Sequence, residues 1–269
     1  MAARKLVLIE RNGNVARVIL NDPEKRNRLS QELIGELISA FEELRNDDSI
    51  AIVVTSGAGD VSWSAGQSGQ ALVSMVEGQK QGLKMKNRMQ ELNEVVRNYP
   101  KVTIAAVNGY CLGAAITFLI CHDLAMASEE KARFGLPEVF RGFPPKSILT
   151  SLFRVVPTKW AFDMVLTGDN WDARTAQKAG LISRIVPHAD LQERSLEWAK
   201  EIARWDRLTL EYSKKAAHAG MDEPSWTKSI ALTGYICEEH SRLNSKTHDG
   251  MRDFLAKKGV TANHDIKWV

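Results

Sequence analysis

The sequence predicts an α/β fold that ends in a helical region. Three observations carry that expectation. An Asn-Gly turn joins two β-rich runs at the start. Apolar runs that stop at glycine then alternate with helical spacing as far as Val186. From Leu191 onward the apolar positions keep only the helical period. The chain accordingly divides into a core over residues 1–190 and a helical region over residues 191–269.

Lys5–Glu10 and Val15–Leu20 flank Arg11-Asn12-Gly13-Asn14, which predicts an antiparallel hairpin. Asn21-Asp22-Pro23 turns the chain. Behind Ser30, a suitable N-cap, Leu33, Leu37, Ala40, Phe41 and Leu44 recur on one helical face. Ile50–Thr55 and Val102–Val107 read as buried strands stopping at Ser56-Gly57-Ala58-Gly59 and at Asn108-Gly109. Between them Leu72–Asn98 is helix-prone but polar and interrupted by Gly78 and Gly82, as in a surface segment or lid. Ala114–Ile120 is apolar all round, which predicts a helix enclosed by the core, and Leu124–Ala127 is the strand after it. Trp160–Leu166 before Thr167-Gly168, and Asp172–Ala179 before Gly180, are short capped helices, and Leu181–Val186 is the last strand. In the tail, Leu196, Ala199, Ile202 and Ala203 mark one helix, and Ile230, Leu232, Tyr235 and Ile236 another.

With 269 residues, 44% apolar and 26% charged, the chain is large enough for one full α/β core or two small ones. The apolar run Leu6–Ile9 is too short for a signal peptide and no later run reaches membrane-spanning length, so a cytoplasmic protein without a membrane partner is expected. The net charge of +3 comes from mixed charges spread along the chain. No nucleic-acid partner is expected; the excess suits a polyanionic ligand, and a solvated surface equally well. Cys111, Cys121 and Cys237 are an odd number without a secretion signal, which predicts reduced, mostly buried thiols. Cys121-His122-Asp123 cannot easily converge on an ion, and His240, His248 and His264 lack ligand spacing, so no metal is predicted.

Three segments could carry chemistry. Ser64-Ala65-Gly66-Gln67-Ser68 and Asn108-Gly109-Tyr110-Cys111-Leu112-Gly113-Ala114-Ala115 are glycine loops able to bring backbone N–H groups to one point. The second leads straight into the enclosed helix, where negative charge is stabilised. Glycine there is also a plain turn requirement. Glu138, behind Pro137 and before Gly142-Phe143-Pro144-Pro145, has apolar neighbours that raise a carboxyl's pKa and let it exchange protons near neutrality. Taken alone, a surface glutamate in a loop is the simpler reading.

These pieces, in this order, resemble the enoyl-CoA hydratase/isomerase, or crotonase, superfamily over nearly the whole chain. The motifs are Asn21-Asp22-Pro23-Glu24-Lys25-Arg26-Asn27, Ser64-Ala65-Gly66, Ile104-Ala105-Ala106-Val107-Asn108-Gly109-Tyr110, Cys121-His122-Asp123-Leu124-Ala125, Phe134-Gly135-Leu136-Pro137-Glu138, Leu166-Thr167-Gly168 and Ala179-Gly180-Leu181. The resemblance implies a crotonase fold of repeated ββα units with a C-terminal helical region that serves oligomerisation and site closure, assembled as a homotrimer or a dimer of trimers. It implies an acyl-CoA thioester substrate, with coenzyme A as part of that substrate and no separate cofactor. It places an oxyanion hole at the backbone N–H groups of Gln67 and Ala114, and an acid/base at Glu138. Lys25, Arg26 and Ala65, with Phe254 and Lys257 from the tail, form the implied coenzyme-binding group.

Two-glutamate hydratases of the superfamily have a carboxylate where this chain has Thr117, whose hydroxyl holds a water but is no base at neutral pH. The hydroxycinnamoyl-CoA hydratase-lyases also have a small hydroxyl residue there, and the chain is similar to them at Phe134-Gly135-Leu136, Gly142-Phe143-Pro144-Pro145 and Tyr235. The resemblance gives Tyr235 a phenol-contacting role; a core aromatic on a helix is the competing reading. The subgroup's other such tyrosine is Leu72 here, its Pro-Pro-Gly-Asn turn reads Pro144-Pro145-Lys146-Ser147, and Ser68 replaces an aspartate. The expected activity is hydration, or hydration and cleavage, of an aromatic or bulky enoyl-CoA. An isomerase, a thioester or C–C hydrolase, and a non-catalytic CoA-ester binding protein are the alternatives.

Overall fold

Gly13 lies at φ 62° between β1 (Val7–Asn12) and β2 (Val15–Leu20), the left-handed geometry that an Asn-Gly step supplies at low steric cost. The strands pair antiparallel from Val7 opposite Leu20 to Asn12 opposite Val15. The computed structural model describes residues 4–67, 73, 77, 88–244 and 246–255. Two units divide the chain, Met1–Tyr99 with Thr103–Lys200 and Pro100–Val102 with Glu201–Val269.

In the first unit, helix α1 (Gln31–Arg45) starts where Ser30 Oγ accepts the Leu33 N–H, and it buries the apolar stripe from Leu33 to Leu44. Among the described residues a six-stranded sheet runs β1, β2, β3 (Ile52–Gly57), β5 (Val102–Val107), β7 (Leu124–Ser128), β10 (Arg184–Val186). Strands β2 and β3, β5 and β7, and β7 and β10 are parallel. Every residue of β3 and β5 is buried, which is why those runs lack polar alternation. Of the lid-like segment, Val73, Glu77 and helix α2 (Arg88–Arg97) are described; Leu72, Gly78 and Gly82 lie outside the described residues. The last strand is shorter than the apolar run suggests, because Leu181 N–H still bonds Ala176 in the turn after the preceding helix, and bonding to β7 begins only with Ser183 N–H on Ala125.

A second sheet was not legible in the sequence. It consists of β4 (Ser62–Ser64), β6 (Tyr110–Leu112), β8 (Arg133–Gly135) and β9 (Trp171–Asp172), with β4, β6 and β8 parallel and β9 antiparallel to β8. Strands of two or three residues are too short to show a period. Strands β4, β6 and β8 arise where β3, β5 and β7 turn a corner, and buried side-chain amides hold two of the corners. Asn108 Nδ2 donates to the carbonyls of Gly57 and Gly59 at 2.9 and 2.7 Å. Asn27 Nδ2 donates to Ala58 and Ser62 at 3.0 and 2.8 Å, while its Oδ1 accepts the Asp22 N–H. A Cβ on Gly109 would stand 2.3 Å from the Val61 oxygen, so the corner admits only glycine.

Helix α3 (Ala114–Ile120) is enclosed as expected, with Trp63 stacked on Phe118 at 5.1 Å between ring centroids. His122 lies edge-on to both rings. Its Nδ1 donates to the Phe118 carbonyl and its Nε2 accepts from Thr55 Oγ1, so the ring is a core group with both nitrogens satisfied. The unit continues with α4 (Ser147–Val155), α5 (Thr158–Thr167), α6 (Ala173–Lys178) and α7 (Leu191–Ile202). On α5, Asp163 accepts the Trp171 indole N–H.

The second unit contains α8 (Arg207–Asp222), α9 (Trp226–Leu243) and α10 (Lys246–Leu255), with α8 and α9 packed along each other. Asp206 caps α8 by accepting the Thr209 N–H and also accepts from Asn244 Nδ2 at 2.7 Å. Tyr235 is 62% exposed, which removes the reading of it as a core aromatic. Cys111 and Cys121 are buried and Cys237 is exposed. Among the described residues no helix is long and apolar enough to cross a membrane, and no three His, Cys, Asp or Glu side chains group as metal ligands.

Candidate functional site

Strands β4, β6 and β8 are parallel neighbours, about 4.8 Å apart. The segments that follow them, Ser64–Gln67, Leu112–Thr117 and Gly135–Glu138, therefore leave the sheet side by side, and they overlap the stretches singled out in the sequence, Ser64–Ser68, Asn108–Ala115 and the segment around Glu138. A cleft of about 950 Å³ opens over them, and all its described lining residues belong to the first unit.

At one end the loop after β4 is clamped to the chain after β2. Ala65 N–H donates to Arg26, Leu29 N–H donates to Gly66, and Ser64 Oγ donates to Asn27. Arg26 and Asn27 take left-handed angles, φ 56° and 50°, to make that turn. Lys25, Arg26, Arg28 and Ala65 consequently share the cleft wall, a basic surface suited to phosphate groups.

In the middle, Gly66 at φ 74° packs directly on the loop after β6. A Cβ there would stand 2.4 Å from the Leu112 oxygen and 3.1 Å from the Ala114 nitrogen. The Ala114 N–H therefore lies beside the Gly66-Gln67 step, and among the described residues neither Gln67 nor Ala114 donates to a backbone carbonyl. Two N–H groups left over at the cleft wall can stabilise an oxygen on which negative charge develops.

Glu138 is the third component. It is 7% exposed, and its Oε1 would be 3.0 Å from a Cβ on Gly113, so the carboxyl faces the loop that carries Ala114. Its Oε2 is buried and has no hydrogen-bond partner among the described residues. Burial raises the pKa of this carboxyl above the ordinary value, against opposing pulls from a backbone hydrogen bond and from the Arg141 charge. Thr117, one turn into α3 and 6% exposed, lines the same part of the cleft. The Cys111 thiol, by contrast, is pushed well up by complete burial and stays protonated and unreactive.

Glu138, Thr117, Gln67, Ala114, Lys25, Arg26 and Ala65 are thus brought to one cleft. Tyr235 and Phe254 belong to the second unit, and Lys257 lies outside the described residues. Sequence reasoning missed Ser151 on α4, whose Oγ is 3.5 Å from Thr117 Oγ1 and donates to the Ile148 carbonyl at 3.0 Å. It also gave no role to Arg141 or Lys146 on the far wall. No local pattern marks Ser151; the unusual lysine after Pro144-Pro145 was the one available signal.

Comparison with known proteins finds relatives over nearly the whole chain. A family model described as enoyl-CoA hydratase/isomerase matches residues 10–261. The chain is 31% identical over 266 residues to a hydroxycinnamoyl-CoA hydratase-lyase of Pseudomonas fluorescens, covering 95% of this chain and 94% of that one. It is 31% identical over 258 residues to a 2,3-dehydroadipyl-CoA hydratase of Escherichia coli, covering 94% and 96%. The solved structure of human enoyl coenzyme A hydratase domain-containing protein 3 superposes with a TM-score of 0.84 at 25% identity, over 94% of this chain and 98% of that one.

Proposed function

Because the chain belongs to the enoyl-CoA hydratase/isomerase family, within the crotonase superfamily, we propose that it hydrates the double bond of a bulky, aromatic enoyl-CoA thioester and cleaves the adduct. The observation that carries the reading is the buried Glu138 carboxyl, with one oxygen unpartnered, in the cleft that the two leftover N–H groups and Thr117 also line.

The thioester oxygen sits between the N–H groups of Gln67 and Ala114, with the coenzyme phosphates toward Lys25 and Arg26 and the adenine end beside Ala65. Water is held by Thr117 and Glu138. The Glu138 carboxylate takes a proton from the water as its oxygen bonds to C3, the electron pair moves onto the thioester oxygen, and the protonated carboxyl then delivers its proton to C2. With an aryl-propenoyl group the same carboxylate takes the new hydroxyl's proton. The C2–C3 bond then breaks to an aldehyde and the enolate of acetyl-CoA, which is protonated at C2. Each leftover donor is typically worth roughly 3 kcal/mol of barrier. Tyr235 is the proposed contact for a phenolic hydroxyl.

Incubation of the protein with feruloyl-CoA, coumaroyl-CoA and crotonyl-CoA, followed by mass spectrometry, tests the reading. Aldehyde with acetyl-CoA supports hydration and cleavage, and products heavier by one water limit the protein to hydration. Three thioesters recovered unchanged would overturn it. Thr117 in place of a second carboxylate favours one alternative, a double-bond isomerase that needs a single acid/base. Such an enzyme would give a product of unchanged mass with a shifted double bond.

A further inference from the structure

Thr117 and Ser151 meet where α3 packs against α4, with 3.5 Å between their hydroxyl oxygens. Among the described residues this is the one hydrogen-bond contact of the Thr117 hydroxyl, which does not turn back to the carbonyl of Gly113 one turn earlier, the common alternative for a helical threonine. Thr117 lines the cleft. Ser151 is not among the described lining residues, so it acts on a ligand only through Thr117.

A hydroxyl has one proton to give and two lone pairs with which to accept. Ser151 Oγ has two oxygens in reach, the Ile148 carbonyl at 3.0 Å and Thr117 Oγ1 at 3.5 Å. A carbonyl only accepts, so the Ser151 proton goes to the nearer Ile148 oxygen, which α4 holds in place. The proton in the contact between the two hydroxyls then comes from Thr117. The chain runs one way, from Thr117 to Ser151 to a fixed backbone acceptor, and each member polarises the next. Its first link is long, as hydrogen bonds of reacting groups commonly are before the ligand binds. The Thr117 oxygen is left with lone pairs, and no proton, for the cleft.

That polarity matters to a water adding to a double bond. The attacking lone pair must face carbon, so both protons of the water are best accepted elsewhere. Glu138, whose Oε2 is buried and unpartnered, accepts one. A Thr117 proton turned to the cleft would engage the water's lone pair and compete with the carbon. A Thr117 oxygen that offers lone pairs accepts the second proton instead.

We infer that Ser151 is a positioning residue for the hydration step: by accepting the Thr117 proton it makes Thr117 an acceptor, which leaves the lone pair of the water free for C3. The same acceptor favours a thioester with a hydroxyl at C3 over one without it. The inference rests on the proposed placement of water at Thr117.

The test compares the wild type with Ser151→Ala, which removes the acceptor, and with Ser151→Thr, which keeps it. Kinetics use whichever of feruloyl-CoA, coumaroyl-CoA and crotonyl-CoA the wild type turns over fastest. Ser151→Ala should lower kcat by about 3- to 10-fold and change KM by less than about twofold, because the coenzyme is held at the other end of the cleft. Ser151→Thr should keep kcat. Calorimetry in the Glu138→Gln background, where turnover is slow, gives Kd for 3-hydroxybutanoyl-CoA and for butanoyl-CoA. The hydroxyl member should bind about 3- to 10-fold more tightly in that background and with Ser151→Thr added, and about equally with Ser151→Ala added. The inference is overturned if the hydroxyl preference is absent with Ser151 in place, or survives Ser151→Ala, whatever kcat does; a fall of kcat with the preference intact marks a role in packing alone. Loss of the preference in both variants overturns it too, since packing rather than the oxygen would then matter. Absence of turnover with all three thioesters would instead overturn the proposed reaction, and the Kd ratios would still decide the role of Ser151.

Discussion

Glu138 has been taken out of water while one of its oxygens lacks a partner, and that combination ties reactivity to stability. Folding raises the carboxyl's pKa. The ionised form therefore costs stability, a cost absent below the ordinary carboxylate range and developed fully as pH rises through the folded-state pKa. Glu138→Gln removes it. The variant's Tm should exceed that of the wild type at about pH 8 and converge with it near pH 4, while kcat falls by about 10²- to 10⁴-fold. Thermal melts across that range and steady-state kinetics check both parts; a variant that keeps full turnover would remove Glu138 from the chemistry. Gly66 gives a second prediction, because a methyl group there must push the Leu112 oxygen away from 2.4 Å and disturb the Ala114 N–H. Gly66→Ala should lower kcat/KM by about 10²-fold or more. Gly13→Ala is the matched control, since Gly13 has a similar φ of 62° but no neighbour within 4 Å. It carries only the backbone cost of a left-handed alanine and should leave kcat/KM as it is.

At the scale of elements, the short strands β4, β6 and β8 decide where chemistry can occur, because they aim three distant loops at one point. Their position depends on what lies beneath them. Helix α3 presents Thr117 to the cleft on one side and Phe118 to Trp63 of β4 on the other, with His122 wedged against both rings. Phe118→Ala should cost about 3–5 kcal/mol in urea unfolding, since the stacked Trp63 and the corner amides leave little freedom to collapse into the space. A loss under about 1 kcal/mol would show that the layer repacks. The elements themselves were largely legible. Ser30, Gly13 and Asp172 act as the caps and turns their types suggest, with Asp172 accepting the Thr175 N–H at 2.7 Å. The second sheet was illegible because its strands hold two or three residues and its corners are made by Asn27 and Asn108, whose partners lie 31 to 51 residues away.

For the whole molecule, large apolar side chains remain uncovered in each unit considered by itself. Phe140 and Leu166 are 70% and 66% exposed in the first, and Trp226 and Leu243 are 79% and 62% exposed in the second. Such groups suit contacts with further copies of the chain. Sedimentation equilibrium should give a threefold or sixfold multiple of the 30.0 kDa chain mass, and Trp226→Asp should weaken the association. A monomer at micromolar concentration would overturn the expectation of a trimer or hexamer.

The sequence by itself determined the α/β order, the glycine turns and the enclosed helix, because periodicity and caps are local properties of the chain, while its resemblance to the family named Glu138, Gln67 and Ala114 as candidates. Tertiary structure alone decided that Glu138 is dry and that Gly66 touches the Leu112–Ala114 loop. It also decided that Ser151 meets Thr117 and that Lys146 is held at strained angles on the cleft wall. Burial, contact between distant segments and backbone strain arise only when the layers pack, since each depends on atoms that are far apart along the chain.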